Sequence, residues 1–175
     1  MLWRGEPARR SVGPLPDTAF LFDDPVLFED MSAAANGRLF AALGGVRASR
    51  TAVEGAAAFL GTAARKKVRE HSHGMRCRLA YALATLHPRA ALLVLDEPTN
   101  GLDVEALGAL EAELRGRADK DGTAILFSTH YLETVERIAD RALILHKGCL
   151  LGAEEGPRPQ ASRLRERLLV RGAAG

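Results

Sequence analysis

Residues 91–95, Ala-Leu-Leu-Val-Leu, offer no polar position to alternate with, and similar runs follow at 123–128 (TAILFS) and 142–146 (ALILH). A strand apolar at every position has both faces covered, and such strands belong to parallel sheets flanked by helices. Helical stripes lie between the runs: Val104, Leu107, Leu110 and Leu114, then Leu132, Val135 and Ile138. The second half therefore reads as α/β, with a parallel sheet and connecting helices. Residues 18–22 (TAFLF) read as a further short buried strand, and Lys147-Gly148 permits a tight turn into residues 149–153.

The chain between the first strand and this region has another character. Residues 31–87 are Ala-rich, with leucines and valines at helical spacing, and read as all-helical. Ser32 is the expected N-cap of its first helix, and Gly44-Gly45 the expected break between helices. Met75, Leu79, Leu83 and Leu86 form a later stripe that ends at Pro88. The organisation expected is one domain with residues 1–30 as an N-terminal core remnant and 31–87 as an inserted helical part. Residues 88–153 form the main core, and 154–175 a basic tail with a helix from near Ser162. The tail arginines (Arg163, Arg165, Arg167, Arg171) read as a solvated helix face in preference to a lipid or nucleic-acid contact.

A length of 175 residues, 47% of them hydrophobic and 26% charged, suits one globular domain with a substantial core. A net charge of +2 gives no electrostatic case for a nucleic-acid partner. No apolar run reaches the roughly 18–20 residues that cross a bilayer, and the first ten residues do not read as a secretory signal. Cys77 and Cys149 lack metal-ligand spacing and are expected as free, reduced thiols, which points to the cytosolic side.

The chemistry concentrates where the apolar strands end. Asp96 and Glu97 follow the 91–95 run, and ligands of parallel α/β sheets sit at the carboxyl ends of the strands. One carboxylate there suits Mg²⁺, and its neighbour suits an attacking water. His130 ends the next strand and is expected at the same edge, within reach of a phosphate or that water. Asp103 reads equally as the N-cap of the helix that starts at Val104. Ser72, His73 and Gly74 precede a long helix, an arrangement of free N–H groups and helix dipole that favours anions.

In this order the motifs resemble the nucleotide-binding subunit of ATP-binding cassette (ABC) transporters. His71-Ser72-His73-Gly74-Met75 resembles the family's LSGGQ signature, and this variant is similar to that of multidrug- and antibiotic-type exporters. LLVLDE resembles the Walker B strand, Asn100-Gly101-Leu102-Asp103 the D-loop, and Phe20 to Ser32 the Q-loop segment, with Asp23 where glutamine usually stands. The order and spacing agree from about residue 12 to residue 153. The resemblance implies a P-loop NTPase (RecA-like) core of class α/β with an inserted α-helical subdomain. It implies ATP and Mg²⁺ as cofactors, Asp96 as the metal ligand, Glu97 as the catalytic base and His130 as the switch histidine. Ser72, His73, Gly74, Met75, Asp23 and Asp103 would contact nucleotide. The implied partners are a transmembrane transporter subunit and a second nucleotide-binding subunit. The implied place is cytoplasmic, peripheral at the inner face of the membrane. The short interval between Q-loop and signature leaves no room for the coiled coil of the chromosome-maintenance relatives.

One part of that family's site has no counterpart. No G-x-x-x-x-G-K-[ST] occurs, and there is no Gly-Lys dipeptide at all. The phosphate-cradling lysine and backbone nest are not among these residues. The expectation is therefore a chain related to exporter ATPases, N-terminally truncated past the P-loop and negligible as an ATPase by itself. The alternative is a non-catalytic cassette that offers only its signature face or a docking surface.

Overall fold

The computed structural model describes residues 2–3, 6–7, 17–24, 26–43, 53, 55, 57–86, 90–156 and 159–172. The Gly44-Gly45 break and the Pro88 stop lie outside the described residues. Strands β1 (Leu2–Trp3) and β2 (Glu6–Pro7) pair antiparallel. Strand β3 (Thr18–Leu21) leads through Asp23 and Asp24 to helix α1 (Ala33–Leu43). Two 3₁₀ segments, Ala58–Arg65 and Val68–Glu70, precede helix α2 (His73–Ala84). Next come β4 (Leu92–Leu95), α3 (Val104–Asp121), β5 (Ala124–Phe127) and α4 (Leu132–Ile138). The hairpin of β6 (Arg141–His146) and β7 (Cys149–Glu155) and the tail helix α5 (Ala161–Gly172) close the chain.

The expected parallel sheet is present, in the order β3-β4-β5. Its two faces differ. Ala19, Leu93 and Ile125 lie in one row across the strands, and Leu21, Leu95 and Phe127 in another. These rows meet Tyr81 of α2 and Leu110 and Leu114 of α3, forming a core in which Leu93 is fully buried. The opposite row is Phe20, Val94 and Leu126, and here Phe20 is 42% and Leu126 58% exposed. Cover on both faces is thus corrected to cover on one among the described residues, because α2 and α3 lie on the same side. Residues 18–22 are likewise only half-buried, since Phe20 and Phe22 face outward.

Two further expectations change. The 142–146 run does not join the parallel sheet; β6 pairs antiparallel with β7. The cause is the two-residue turn, where Lys147 (φ 47°) and Gly148 (φ 77°) both adopt left-handed backbone, as a tight hairpin with matching twist requires. Val104 is 89% exposed and does not belong to the buried stripe of α3, which starts at Ala106 and runs through Leu110 and Leu114. The tail helix starts as expected and docks: Leu164 is buried, and Arg165 pairs with Glu133 of α4 at 3.4 Å.

The helical segment is sewn to the chain leaving β3. Ser32 caps α1 by accepting from the Ala35 N–H. Fully buried Asn36 accepts from Phe28 N–H at 2.8 Å and donates to the carbonyls of Phe28 and Ser32. Both amide protons and the carbonyl oxygen of Asn36 are thereby used in shaping residues 28–32. That strip then receives the N–H groups of Val68 and Arg69 on the carbonyls of Met31 and Glu29. Arg69–Asp30 (2.8 Å) and Arg76–Glu29 (3.0 Å) ion pairs continue the same seam on the surface. The start of α2 is therefore held in fixed relation to the segment that carries Asp23.

Candidate functional site

Asp96, Glu97 and His130 meet at the carboxyl edge of β4 and β5. The Asp96 N–H donates to Leu21 O and the Ser128 N–H to Leu95 O, so the ladder persists to the last residue of each strand. Beyond it the chain turns sharply, and Glu97 adopts φ 45°. A left-handed conformation is uncommon for a residue with a Cβ and marks places where the surroundings impose it. Glu97 Oε2 lies 3.1 Å from His130 Nδ1, with the Glu97 side chain mostly buried and His130 62% exposed. His130 also stacks at a tilt on Tyr131, with ring centroids 4.1 Å apart.

Ser128 joins the two carboxylates. Its hydroxyl donates to Asp96 Oδ1 at 2.6 Å and accepts from the Glu97 N–H at 2.9 Å. Thr99 and Thr129 add a second link between the same loops, hydroxyl to hydroxyl at 3.3 Å. Ser128 was not singled out by the motif pattern. The signal available was its position, one residue past β5 and level with Asp96, which parallel pairing predicts once the two strands are adjacent.

Asp23 and the signature segment meet the loop that follows the acidic pair. Asn100 Nδ2 donates to Asp23 Oδ1 at 2.8 Å, linking residues 77 apart in sequence. On the loop's other side, a Cβ on Gly74 would lie 2.4 Å from the Gly101 carbonyl oxygen. Gly101 has φ 71°, and a Cβ there would lie 2.6 Å from the His73 ring. Gly74 needs glycine because its backbone lies against the Gly101 carbonyl, and Gly101 because of its left-handed φ and the His73 ring above it. Ser72 caps α2, accepting from the Met75 N–H at 3.3 Å. The Met75 side chain packs against the apolar cluster that contains Val68, Leu79 and Leu83. Asp103 caps α3, accepting from the Ala106 N–H at 2.8 Å.

Asp96 is exposed, with one carboxylate oxygen on Ser128. Among the described residues no three His, Cys, Asp or Glu side chains gather to hold a metal by themselves. One outward carboxylate suits Mg²⁺, which binds proteins through one or two carboxylates and completes its octahedron with water and substrate phosphate. The donors present therefore fit that ion in company with a nucleotide, and not a self-sufficient metal centre.

A cavity of about 140 Å³ lies between α2 and α3 behind this loop, lined by Cys77, Tyr81, Pro98, Leu102, Leu110 and Glu113 among others. Burial first, then the negative charge of Asp23, push the Cys77 thiol above its ordinary value, so it is an inert thiol 3.4 Å from His73 Nε2. The Tyr81 hydroxyl is buried beside Glu113 and Arg117 but forms no hydrogen bond of good geometry with either. Burial, and then the Glu113 charge, push its pKa well above the ordinary value of about 10. The folded phenol thus stays neutral where the unfolded one ionises. Its contribution is complete below about pH 10 and is lost as pH climbs above that value. Tyr81→Phe is expected to leave stability at pH 7 within about 0.5 kcal/mol of wild type, since the hydroxyl removed makes no well-formed hydrogen bond. It should also flatten the alkaline fall in stability, as read by urea denaturation at pH 7 and pH 10.5.

No protein-family model matches the chain. It is 34% identical over 134 residues to the bacitracin transport ATP-binding protein BcrA of Enterococcus faecalis, an alignment covering 75% of this chain and 42% of BcrA. It is 36% identical over 159 residues to the Nod factor export ATP-binding protein I of Burkholderia thailandensis, covering 89% of this chain and 49% of that protein. The chain thus spans about half the length of the curated relatives it matches. Among solved structures, the ATP-binding cassette MJ0796, a dimer in a post-hydrolysis state with ADP and Pi, superposes with a TM-score of 0.71. That match has 20% identity and covers 79% of this chain and 62% of the cassette. The parallel sheet with its helices is accordingly the P-loop NTPase fold of ABC cassettes. By these relatives and this fold, the chain belongs to the family of ABC transporter ATP-binding proteins.

Proposed function

We propose that these residues supply the metal-and-water half of an ATP-hydrolysing site that energises export through an ABC transporter. The observation that carries the proposal is the convergence of Asp96, Glu97 and His130 on one strand edge, linked through Ser128. Asp96 would hold Mg²⁺ through its outward oxygen. When bound, that ion neutralises charge on the phosphate oxygens. Glu97 accepts the proton of the attacking water, and His130, 3.1 Å away, orients the Glu97 carboxylate and reaches toward the terminal phosphate. Ser72 and Gly74 open α2, whose N-terminal dipole favours the phosphates of a nucleotide held by a second cassette. Asp23 and Asp103 shape the loop between these parts through Asn100 and the α3 cap.

The helices within residues 31–87 are proposed to dock on a membrane-spanning partner, which would place the chain at the cytoplasmic face of a membrane. Among the described residues, no helix is long and apolar enough to cross one. The export reading rests on relatives named for bacitracin transport and Nod factor export.

The phosphate-holding half must come from residues other than these 175, for no Gly-Lys-Ser/Thr segment occurs in them. Each charge-assisted bond that such a loop gives to phosphate stabilises by roughly 1.5–3 kcal/mol. The 175-residue chain is therefore expected to show negligible Mg-ATP turnover. A chimaera with the N-terminal part of BcrA joined ahead of residue 12 is expected to hydrolyse ATP. A folded chimaera that binds ATP without turning it over would overturn the proposal, as would Mg-dependent turnover by the chain alone that Glu97→Gln abolishes.

A further inference from the structure

Ser128 stands at the centre of the acidic edge, and strand geometry does not account for its hydroxyl. The sheet ladder here is made by backbone groups: Ser128 N–H to Leu95 O at 3.0 Å, and Asp96 N–H to Leu21 O at 2.8 Å. A serine hydroxyl has one proton to give and lone pairs to accept with. The proton goes to Asp96 Oδ1, at a length typical of a charge-assisted bond, and a lone pair receives the Glu97 N–H. One exposed hydroxyl thus touches both residues of the acidic pair, on the backbone of one and the carboxylate of the other.

We propose that Ser128 is a positioning residue for the acidic pair. Its hydroxyl fixes which Asp96 oxygen faces outward and holds the Glu97 backbone in the left-handed turn that brings its carboxylate to His130. This rests on the reading of Asp96 as the metal carboxylate. It extends that reading by naming what orients the two carboxylates. The two contacts are also coupled. Negative charge on Asp96 draws the Ser128 proton and makes its oxygen a better acceptor for the Glu97 N–H, as in any hydrogen-bond chain. Withdrawal of electron density from Asp96 by a cation loosens the grip on Glu97. Alanine at 128 removes both contacts and leaves the strand ladder intact, whereas threonine retains the hydroxyl.

The ¹⁵N-labelled chain provides the test, through amide–water exchange and Mn²⁺-induced broadening of backbone resonances. Ser128→Ala is expected to speed exchange of the Glu97 amide roughly five- to tenfold, the loss of about one hydrogen bond. Exchange within β4 should not change. Several-fold more Mn²⁺ should be needed to broaden the resonances of residues 96–97 and 128, and Ser128→Thr should restore both readings. Wild-type exchange and Mn²⁺ response in a folded Ser128→Ala protein would overturn the proposal, and so would a threonine variant as impaired as alanine. Asp96→Asn separates the two layers. If it leaves the Mn²⁺ response untouched while Ser128→Ala still accelerates Glu97 exchange, the metal assignment of Asp96 fails and the positioning role stands.

Discussion

Glu97→Gln in the BcrA chimaera is expected to lower Mg-ATP turnover by about 10²–10⁴, the range that a positioned general base contributes. Glutamine matches glutamate in shape and keeps the backbone N–H that Ser128 holds, so the left-handed turn at residue 97 should survive. What it loses is the ability to take a proton and the negative charge beside His130 Nδ1. Glu97 itself is assigned the attacking water and not the nucleotide, so the loss should fall mainly on kcat with KM little changed. Steady-state phosphate release at saturating ATP is the measurement. A Glu97→Gln chimaera that binds ATP and turns over within threefold of its parent would remove Glu97 from the proposed chemistry.

The second large effect is on stability and lies away from the site. Glu111 of α3 is buried, and Arg137 of α4 grips it with two bonds of 2.7 Å, from Nε to Oε2 and from Nη2 to Oε1. The buried Thr134 hydroxyl adds a third at 2.9 Å. The pairing with Glu111 raises the Arg137 pKa further above an already high value, so the guanidinium stays charged. Arg137→Ala leaves a buried carboxylate with one hydroxyl for company. Breaking a fully buried pair costs about 3–5 kcal/mol, but the Arg137 side chain is 49% exposed and water can reach the gap. About 1–3 kcal/mol is expected, as a fall in the urea midpoint with an unchanged m-value. The double variant Glu111→Leu/Arg137→Leu should recover most of the loss, since no charge is then left buried. A midpoint for Arg137→Ala equal to wild type would show that the pair carries no net stability.

Local physics was readable in the sequence, and contacts made by distant residues were not. Asp103 announced its cap because a carboxylate before a helical stripe satisfies N–H groups three residues on, and it does so to Ala106. Lys147-Gly148 announced its turn in the same way, through the backbone freedom of two adjacent residues. The reach of a run such as 142–146 was less legible. An apolar strand shows that it is buried, but its neighbour is chosen by the turn that follows. The open Phe20–Val94–Leu126 row was invisible for a related reason: periodicity reports how apolar a strand is, while cover depends on which side the helices cross. At the site, Asp96, Glu97 and His130 followed from strand ends. Ser128 and the Asp23–Asn100 bond followed from nothing local, because each joins segments more than thirty residues apart.

The loop of residues 98–103 is held from three directions: by Asp23 through Asn100, by the His73-Gly74 turn against Gly101, and by its own cap on α3. Such a junction obeys reciprocity. If a partner on the helical side favours one seating of the α2 turn over another by some free energy, the loop beside Asp96 and Glu97 is biased by the same amount. Whatever binds at the acidic edge returns that bias to the partner undiminished. Gly74 lies with its backbone against the Gly101 carbonyl, so a shift of the α2 turn would press on the loop directly, with no long side chain between to absorb it. Information would then cross this protein as a balance of work between two surfaces, with neither side acting as the sole sender.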